Sequence, residues 1–381
     1  MAKSGMPPPH GGRLVNRISP HKKNDEMFSI VIHTDTRNDI ENIADGIFSP
    51  LEGFVCQDDF ECIVSKGRLS NGLPWTIPIV LDVESETASK MKDAGEVSLV
   101  SSNGEAFGVM SVDDIYRFDK QKVAKAIYQT VDLQHPGVMK TMGMSDVLVG
   151  GKIKVYSRIP LSQSRKLRKT PAETRNEILT RGWKSIVGFQ TRNVPHVAHE
   201  ILQKTALSLF DGLFINPLIG KKKLGDYKDE VILHTYETLL DSYYSCESVM
   251  LVTLHTEMRY AGPKEAIHHA IMRKNFGCTH LIIGRDHAGV GDYYEPLAAQ
   301  KIFNEYPDLE IEPVFFPAFY YCKKCRGYSS VKLCPHNSEE REELSGTKLR
   351  ELVSSGRIPS GHLMRPEVAK VILSYDRPFV V

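Results

Sequence analysis

Two patterns of hydrophobic and polar positions divide the chain. From residue 28 to about 155, short runs rich in β-branched and aromatic residues are separated by turn signals such as Ser-Asn-Gly at 70–72 and 102–104, which is typical of strands. From about 160, short apolar runs alternate with amphipathic helical stretches. The first pattern predicts a β-rich region, and the second predicts βαβ units with a mainly parallel sheet.

The predicted elements set the expected regions of the chain. We expect a β-rich region over 1–158 with an irregular start, an α/β region over 159–320, and a C-terminal region over 321–381 with two short helices. The predicted strands of the α/β region contain SIVGF, LFINPLIG, VMLVTL, HLIIG and IEPVFF, and its helices lie near 197–209, 228–244, 263–276 and 295–305. Ligands of such sheets bind at the carboxyl ends of the strands, near helix N-termini with unpaired N–H groups.

The first polar cluster follows SIVGF. The segment GFQTRNVPHVAHE, 188–200, places Gln190, Thr191, Arg192 and Asn193 at a strand end, and then His196 and His199 on one face of a helix N-terminus. A guanidinium, two imidazoles and neutral donors at one point suit a tetrahedral oxyanion. The alternative is a set of solvated loop residues and helix caps.

A second polar loop follows HLIIG. It contains Gly284, Arg285, Asp286, His287 and Ala288, with two further glycines. Glycines allow backbone N–H groups to approach a phosphate closely. Two such loops on neighbouring strands predict a nucleotide site with the phosphates between them, whereas either loop alone could be a plain turn.

Two further groups of basic residues are interpreted without a catalytic role. The pair His268 and His269 lies in a predicted helix without acidic or cysteine neighbours, which favours packing or a surface position. The loop GKKKLGD, 220–226, is interpreted as solvated, although at a strand end it could attract polyphosphate.

Four soft metal ligands lie close together near the C-terminal end. Cys322, Cys325, Cys334 and His336 form a C-x2-C-x8-C-x-H pattern. Three thiolates and one imidazole complete a tetrahedral zinc site and leave no open position for a substrate, so we expect structural Zn²⁺. The remaining cysteines are interpreted as ordinary buried thiols: Cys56, Cys62, Cys246 and Cys278.

Composition narrows the function classes. The 381 residues are 41% hydrophobic and 25% charged with a net charge of +1, so nothing in the bulk charge favours nucleic acid or membrane binding. No apolar stretch approaches the ~20 residues of a membrane span, and we expect a cytoplasmic protein. No serine nucleophile elbow, P-loop or Rossmann glycine motif occurs, which disfavours covalent catalysis and P-loop hydrolysis.

The chain closely resembles the ATP sulfurylase (sulfate adenylyltransferase) family, in its short form without a kinase domain. The resemblance is carried by the segments IFSPLEGFV at 47–55, QTRNVPHVAHE, INPLIG at 215–220, PKEAIHHAIMRKNFGCTHLIIGRDHAG at 263–289 and SGTKLREL at 345–352. It implies an N-terminal PUA-like domain, a Rossmann-like nucleotidylyltransferase domain with a zinc-binding insertion, and a small C-terminal helical region. The implied reaction is ATP plus sulfate to adenosine 5′-phosphosulfate plus pyrophosphate, or its reverse, with Mg²⁺.

The resemblance also implies roles for individual residues. Gln190, Arg192 and the backbone of Ala288 match sulfate-binding positions, and Thr191, Arg192 and Asn193 match the catalytic triplet. His196 and His199 match histidines that hold the triphosphate and steady the leaving group. The expected ATP-binding residues are Gln190, Thr191, Arg192, Asn193, Gly284, Arg285, Asp286, His287 and Phe319, with Phe316 as a mobile residue next to the nucleotide. A homodimer is expected.

Two other functions stay open on the sequence alone. One keeps the fold but uses a different oxyanion acceptor, which only substrate profiling would separate. The other is a zinc-containing RNA-binding protein that uses the PUA-like domain, against which stand the net charge and the lack of interleaved aromatic and basic stripes.

Overall fold

The computed structural model describes residues 5–20, 27–159, 166–343 and 346–380. Its first part is built on a seven-stranded mixed sheet with strand order β1-β4-β5-β7-β2, in which β3 and β6 also pair with β7. The strands are β1 Ser29–Val31, β2 Gly53–Phe54, β3 Leu81–Val83, β4 Glu96–Val100, β5 Ala106–Ser111, β6 Asp114–Arg117 and β7 Val147–Val155. The helices are α1 Thr34–Ala44, α2 Gln57–Lys66, α3 Ser85–Ala94, α4 Lys120–Tyr128 and α5 Pro136–Met142.

The second part is built on a parallel sheet with strand order β10-β9-β8-β12-β13, in which β11 also pairs with β9. Its strands are β8 Ile186–Thr191, β9 Gly212–Ile219, β10 Val249–Leu251, β11 Leu254–His255, β12 His280–Ile283 and β13 Glu312–Phe315. Its helices are α6 Pro171–Thr180, α7 Val197–Leu207, α8 Asp229–Tyr243, α9 Pro263–Phe276 and α10 Ala298–Lys301, followed by a 3-10 helix over Ile302–Glu305.

A small antiparallel sheet and two helices end the described chain. The sheet has strand order β15-β14-β16. Its strands are β14 Phe319–Cys322, β15 Gly327–Ser330 and β16 Arg341–Glu343, and the helices are α11 Gly346–Ser354 and α12 Pro366–Leu373. Within the described residues, no helix combines the length and apolar character that crossing a membrane requires.

Hydrophobic residues cover both faces of the parallel sheet. On one face, α9 is buried along almost its whole length and joins a core that continues into the first sheet, for example through Trp75 and Phe107. On the other face, α8 and α12 enclose a second core around Tyr236 and Ile372. Burial on both faces explains why β8 and β9 are apolar runs and not alternating patterns.

Helix α1 joins the two parts through its acidic side chains. Asp39 pairs with Arg259 at 2.6 Å, and Glu41 and Asp45 pair with Arg168 at 3.0 and 2.9 Å. These carboxylates and the Arg168 side chain are almost completely removed from solvent, so the ion pairs form in a low-dielectric environment where unpaired charges would be costly.

The fold agrees with most of the predicted elements. Every predicted strand and helix of the α/β region is present, although the stretch near 295–305 is only a short helix and a 3-10 turn. The four cysteines outside the Cys/His cluster were interpreted as buried thiols. This is correct for Cys278 and wrong for Cys246, which is exposed, while Cys56 and Cys62 are half-buried.

Candidate functional site

The first predicted cluster lies at the carboxyl end of the central strand β8. Gln190 and Thr191 are its last two residues, still in register with Asn216 and Pro217 of β9. The Thr191 hydroxyl bonds both the N–H and the carbonyl of Asn193 at 3.2 Å. This local closure turns the backbone sharply into α7, so consecutive polar residues converge at one point.

The cluster contains buried polar atoms that have no hydrogen-bond partner among the described residues. They are Gln190 Oε1, Arg192 Nη1, His196 Nδ1 and His199 Nδ1. Leaving such an atom unsatisfied costs about 1–3 kcal/mol, and native structures contain few of them. Four of the seventeen such atoms found among the described residues lie between positions 190 and 199, and this concentration indicates a site that a polar ligand completes.

The two histidines of the cluster are stacked and neutral. Their ring centroids are 3.9 Å apart with an interplanar angle of 22°. Burial lowers the pKa of His196 to about 4, and burial followed by the neighbouring His196 lowers the pKa of His199 well below its usual value. His196 is the N-cap of α7, which begins at Val197 as the predicted stretch 197–209 indicated, so only His199 of the pair lies within the helix.

The first turn of α7 is held in place by ion pairs of Glu200. Glu200 accepts two hydrogen bonds from Arg365, at 2.8 and 2.7 Å, and one from Lys204 at 2.7 Å. The backbone N–H of Val197 also donates to the carbonyl of Leu363 at 3.1 Å. The histidine pair therefore stands on a helix end tied to α12 and its preceding turn.

Tyr260 and Lys223 belong to the same site, although the sequence interpretation did not include them. The guanidinium of Arg192 lies 5.3 Å from the centroid of the Tyr260 ring, and the Lys223 ammonium lies 4.0 Å from it. Burial, followed by repulsion from Arg192, lowers the pKa of Lys223. Two cations against one ring attract an anion more strongly than either does alone.

The second predicted loop follows β12, the strand next to β8. Gly284, Arg285 and Asp286 are exposed at the strand end, while His287 and Ala288 turn inward. Ala288 has a φ of 59°, and its carbonyl accepts from the N–H of Gly262 at 3.1 Å. Because Gly262 follows Tyr260 closely, this bond connects the second loop to the ring that faces Arg192.

His287 is held from inside the protein by two buried residues. Its Nε2 lies 3.0 Å from Nδ1 of His269, and Nε2 of His269 lies 3.3 Å from Glu265 Oε1. Burial first, then His269, lowers the pKa of His287 to about 3. His269 is buried, as the packing interpretation allows, but the expected absence of an acidic neighbour is wrong, because Glu265 contacts its ring. His268 does pack, between Phe48 and Trp75.

The predicted phenylalanines follow β13, the next strand along the same edge. Phe316 lies directly after β13 and Phe319 begins β14, with ring centroids 6.4 Å apart. Strands β8, β12 and β13 are adjacent and parallel, so their carboxyl ends place both polar loops and this aromatic pair along one edge of the sheet.

The Cys/His cluster is assembled as a metal site. His336 Nδ1 lies 3.3, 3.3 and 3.4 Å from the sulfurs of Cys322, Cys325 and Cys334, and the last two sulfurs are 3.7 Å apart. All four ligand atoms lie within 4.8 Å of one another. Tetrahedral bonds of about 2.3 Å to sulfur and about 2.1 Å to nitrogen require separations of about 3.5–3.8 Å. The donors therefore fit a zinc ion.

Comparisons with known proteins agree with this geometry. A family model for ATP-sulfurylase matches residues 165–375, and a PUA-like domain model matches residues 7–158. The chain belongs to the ATP-sulfurylase family. The resemblance inferred from the sequence motifs is confirmed, as is the PUA-like domain followed by an ATP-sulfurylase domain, while the zinc-binding insertion stays a prediction.

Relatives within the ATP-sulfurylase family align along nearly the whole chain. A protein named sulfate adenylyltransferase from Cenarchaeum symbiosum (strain A) is 52% identical over 372 residues, covering 98% of this chain and 98% of its own. Another of that name from Staphylothermus marinus is 50% identical over 382 residues, covering 98% of this chain and 100% of its own.

A solved structure shares the fold. It is described as a hexameric APS kinase from Thiobacillus denitrificans, is 21% identical in sequence, and has a TM-score of 0.76. The alignment covers 97% of this chain and 69% of the other. At this identity the likeness concerns the ATP-sulfurylase fold alone.

Proposed function

We propose that this member of the ATP-sulfurylase family transfers the adenylyl group of ATP to sulfate, or catalyses the reverse reaction, at the edge formed by the β8 and β12 loops. The activity predicted from the sequence is confirmed by relatives named sulfate adenylyltransferase at about half identity over nearly the full chain. The residue roles below are our proposals.

One observation carries the placement of the site: the buried, unpartnered polar atoms of Gln190, Arg192, His196 and His199. Arg192 offers a planar fork to sulfate or to the α-phosphate, and the Tyr260 ring fixes its orientation. The Gln190 carboxamide and the backbone of Ala288, which the Gly262 bond anchors, complete the proposed sulfate position.

Catalysis rests on position and charge. Sulfate is already ionised and needs no general base, so the site must hold it in line with the α-phosphorus and stabilise the charge that develops on the phosphoryl oxygens. Such positioning can contribute about 7–11 kcal/mol. We assign Thr191, Arg192 and Asn193 to the reacting centre because the turn closed by Thr191 sets their directions.

The histidine pair is assigned to the departing pyrophosphate. Both rings are neutral in the free protein because burial disfavours their cations. Oxyanions nearby favour the imidazolium form, so His196 and His199 can gain protons as the triphosphate binds and can donate hydrogen bonds to the leaving group. Lys223 adds a second cation beside Arg192.

ATP is proposed to extend from this pair along the second loop. Gly284, Arg285, Asp286 and His287 would line its nucleotide, with Phe319 against the base and Phe316 beside it. Mg²⁺ would enter with ATP, since this ion is usually bound through substrate phosphates and keeps several waters.

Structural zinc is proposed for Cys322, Cys325, Cys334 and His336. Four protein ligands leave no position for substrate, so the ion would stabilise the β14–β16 sheet that follows the aromatic pair. The domain bounds 1–158, 159–320 and 321–381, a cytoplasmic location and a homodimer likewise remain proposals.

The test is pyrophosphate release from Mg²⁺-ATP with and without sulfate. We expect sulfate-dependent release that molybdate replaces and that Arg192→Ala loses, with Arg181→Ala, an arginine outside the site, as the matched control. Release that ignores sulfate but responds to another oxyanion would favour a different acceptor. ATP-independent, salt-sensitive RNA binding without release would favour the RNA-binding alternative.

A further inference from the structure

The contacts behind the second loop define which ring nitrogens carry protons. Glu265 accepts the backbone N–H groups of Arg259 and Ala261, at 2.8 and 3.0 Å. Both carboxylate oxygens accept a backbone N–H, which favours the ionised form although burial raises the pKa of Glu265. A bare lone pair on Nε2 of His269 would be repelled by that carboxylate at 3.3 Å, so we assign the ring proton to Nε2. Glu265 and His269 are each 1% exposed, so no solvent separates the two groups.

The proton position on His269 determines the proton position on His287. Burial, followed by the nearby cation of Arg273, keeps the pKa of His269 well below its usual value, so the ring is neutral and carries one proton only. With that proton on Nε2, Nδ1 of His269 is an acceptor. His287 Nε2, 3.0 Å away, must then be the donor, which leaves Nδ1 of His287 without a proton.

We propose that Glu265 and His269 are positioning residues that hold His287 in the Nε2–H form, so that its bare Nδ1 accepts a hydrogen bond from the nucleoside part of ATP. This inference rests on the proposed function only for the identity of the nucleotide. Sulfate and triphosphate offer only acceptor oxygens, whereas the ribose hydroxyls and the adenine amino group offer donors. His287 therefore distinguishes the nucleoside end of the site from the phosphate end.

Two charged groups act on His287 from the inner side of the second loop: Glu265, which favours the imidazolium form, and Arg273, which opposes it more strongly. Arg273 is fully buried and donates to the carbonyl of His269 at 3.4 Å, while its Nε and Nη2 have no partner among the described residues. This cation opposes protonation of both rings. A neutral His287 is thus the stable state of the free protein, and its acceptor is ready before ATP binds.

The first experiment is nitrogen NMR of protein with ¹⁵N-labelled histidine, with His287→Gln to assign the signal. We expect His287 of the free wild-type protein to show a protonated Nε2 and an unprotonated Nδ1 at neutral pH. His269→Leu removes the internal acceptor and should abolish this preference. His269→Gln should restore it, because its carboxamide oxygen can accept from His287 while its NH₂ group donates to Glu265.

The second experiment is calorimetric binding of ATP, 2′-deoxy-ATP, 3′-deoxy-ATP and purine riboside triphosphate, without sulfate. We expect one analogue to bind wild-type protein about 3- to 10-fold more weakly than ATP, the range of one neutral hydrogen bond. His269→Leu should lose this preference, and His269→Gln should keep most of it. His268→Leu, a buried change of similar size next to it, should lower stability while leaving the preference intact.

The outcomes separate this inference from the proposed function. Wild-type protein with a proton on His287 Nδ1, or a preference unchanged in His269→Leu, would overturn the inference. Analogue discrimination that depends on His269, in a protein that releases no pyrophosphate with sulfate, would support the inference and refute the proposed function.

Discussion

Lowering the pH should destabilise this protein strongly, because several imidazoles are buried in the neutral form. Burial, followed by the charge of Lys274, lowers the pKa of His10 to about 4. Burial alone lowers the pKa of His196 to about 4. For His287, burial is the largest cause of a pKa of about 3. The unfolded chain binds protons at these rings near pH 6.5 and the folded chain does not. Stability is therefore complete above pH 6.5 and falls as the pH decreases toward 4.

The size of the effect follows from the three pKa shifts. Between about pH 7.5 and pH 5, each ring removes about 2 kcal/mol from the free energy of unfolding, or about 6 kcal/mol in total. Asp35 acts in the opposite direction, because burial and its hydrogen bond with Glu257 raise its pKa to about 6. Since that carboxyl is only half-buried, its offset is at most about 1 kcal/mol. The net loss is comparable with the total stability of many domains, about 5–15 kcal/mol.

Urea unfolding followed by circular dichroism at both pH values measures this loss. His10→Gln provides the control, because the carboxamide can still donate to the Pro74 carbonyl that His10 contacts at 2.7 Å but cannot titrate. Its pH-dependent loss should be smaller by about 2 kcal/mol, and subtraction cancels contributions that both proteins share, including metal release. Equal pH dependence in the two proteins, or no dependence in either, would refute the reasoning.

Tripolyphosphate should stabilise the wild type more at pH 6 than at 7.5, since anions raise the pKa of His196.

Three further changes test individual contacts. Arg192→Lys keeps the charge and loses the fork, so the KM for sulfate should rise about 10-fold or more, as one lost charge-assisted hydrogen bond implies; a value within twofold of wild type in steady-state kinetics would contradict the assignment. Lys223→Met removes one of two cations at the Tyr260 ring, so it should weaken tripolyphosphate binding measured by calorimetry. The effect should be smaller at high salt, and Lys184→Met, at an exposed loop, is the control. Cys334→Ser should reduce bound zinc, measured by metal analysis, from one ion per chain to a small fraction; full occupancy would show that the cluster is not the site.

The polar edge of the parallel sheet was predictable because local sequence determines it. A buried apolar run must become a strand, and polar residues directly after it must lie at the strand's carboxyl end. For β8 and β12 this was enough to place Gln190 to His199 and Gly284 to Ala288 on neighbouring strands. The C-x2-C-x8-C-x-H pattern was equally informative, since its spacing allows few other arrangements.

The missed residues depend on contacts between distant parts of the chain. Tyr260 has an unfavourable positive φ of 59°, and its ring faces Arg192, which lies 68 positions earlier in the chain. Lys223 looked solvated in a run of lysines, and no local signal separates it from its neighbours. The paired histidines could have been resolved from Glu265, which lies four residues before His269 and thus on the same helix face.

Strands β2 and β6 have no clear signal in the sequence, for a different reason. β2 covers only Gly53–Phe54, and β6, Asp114–Arg117, begins and ends with a charged residue, so neither forms an apolar run. Both pair with the long strand β7, so their conformation is set by the partner and not by their own residues.

The acidic face of α1 has a consequence for how the enzyme can move. A rotation of the first sheet away from the parallel sheet would have to separate the Asp39–Arg259 and Glu41–Arg168 pairs together, and their charges would be uncompensated until water reached them. The Asn42 side chain, which donates to the carbonyl of His255 at 2.9 Å, would lose its partner in the same motion. These contacts couple the first sheet to the parallel sheet, so we expect shifts of individual loops at the sheet edge to admit ATP more readily than a separation of the two parts.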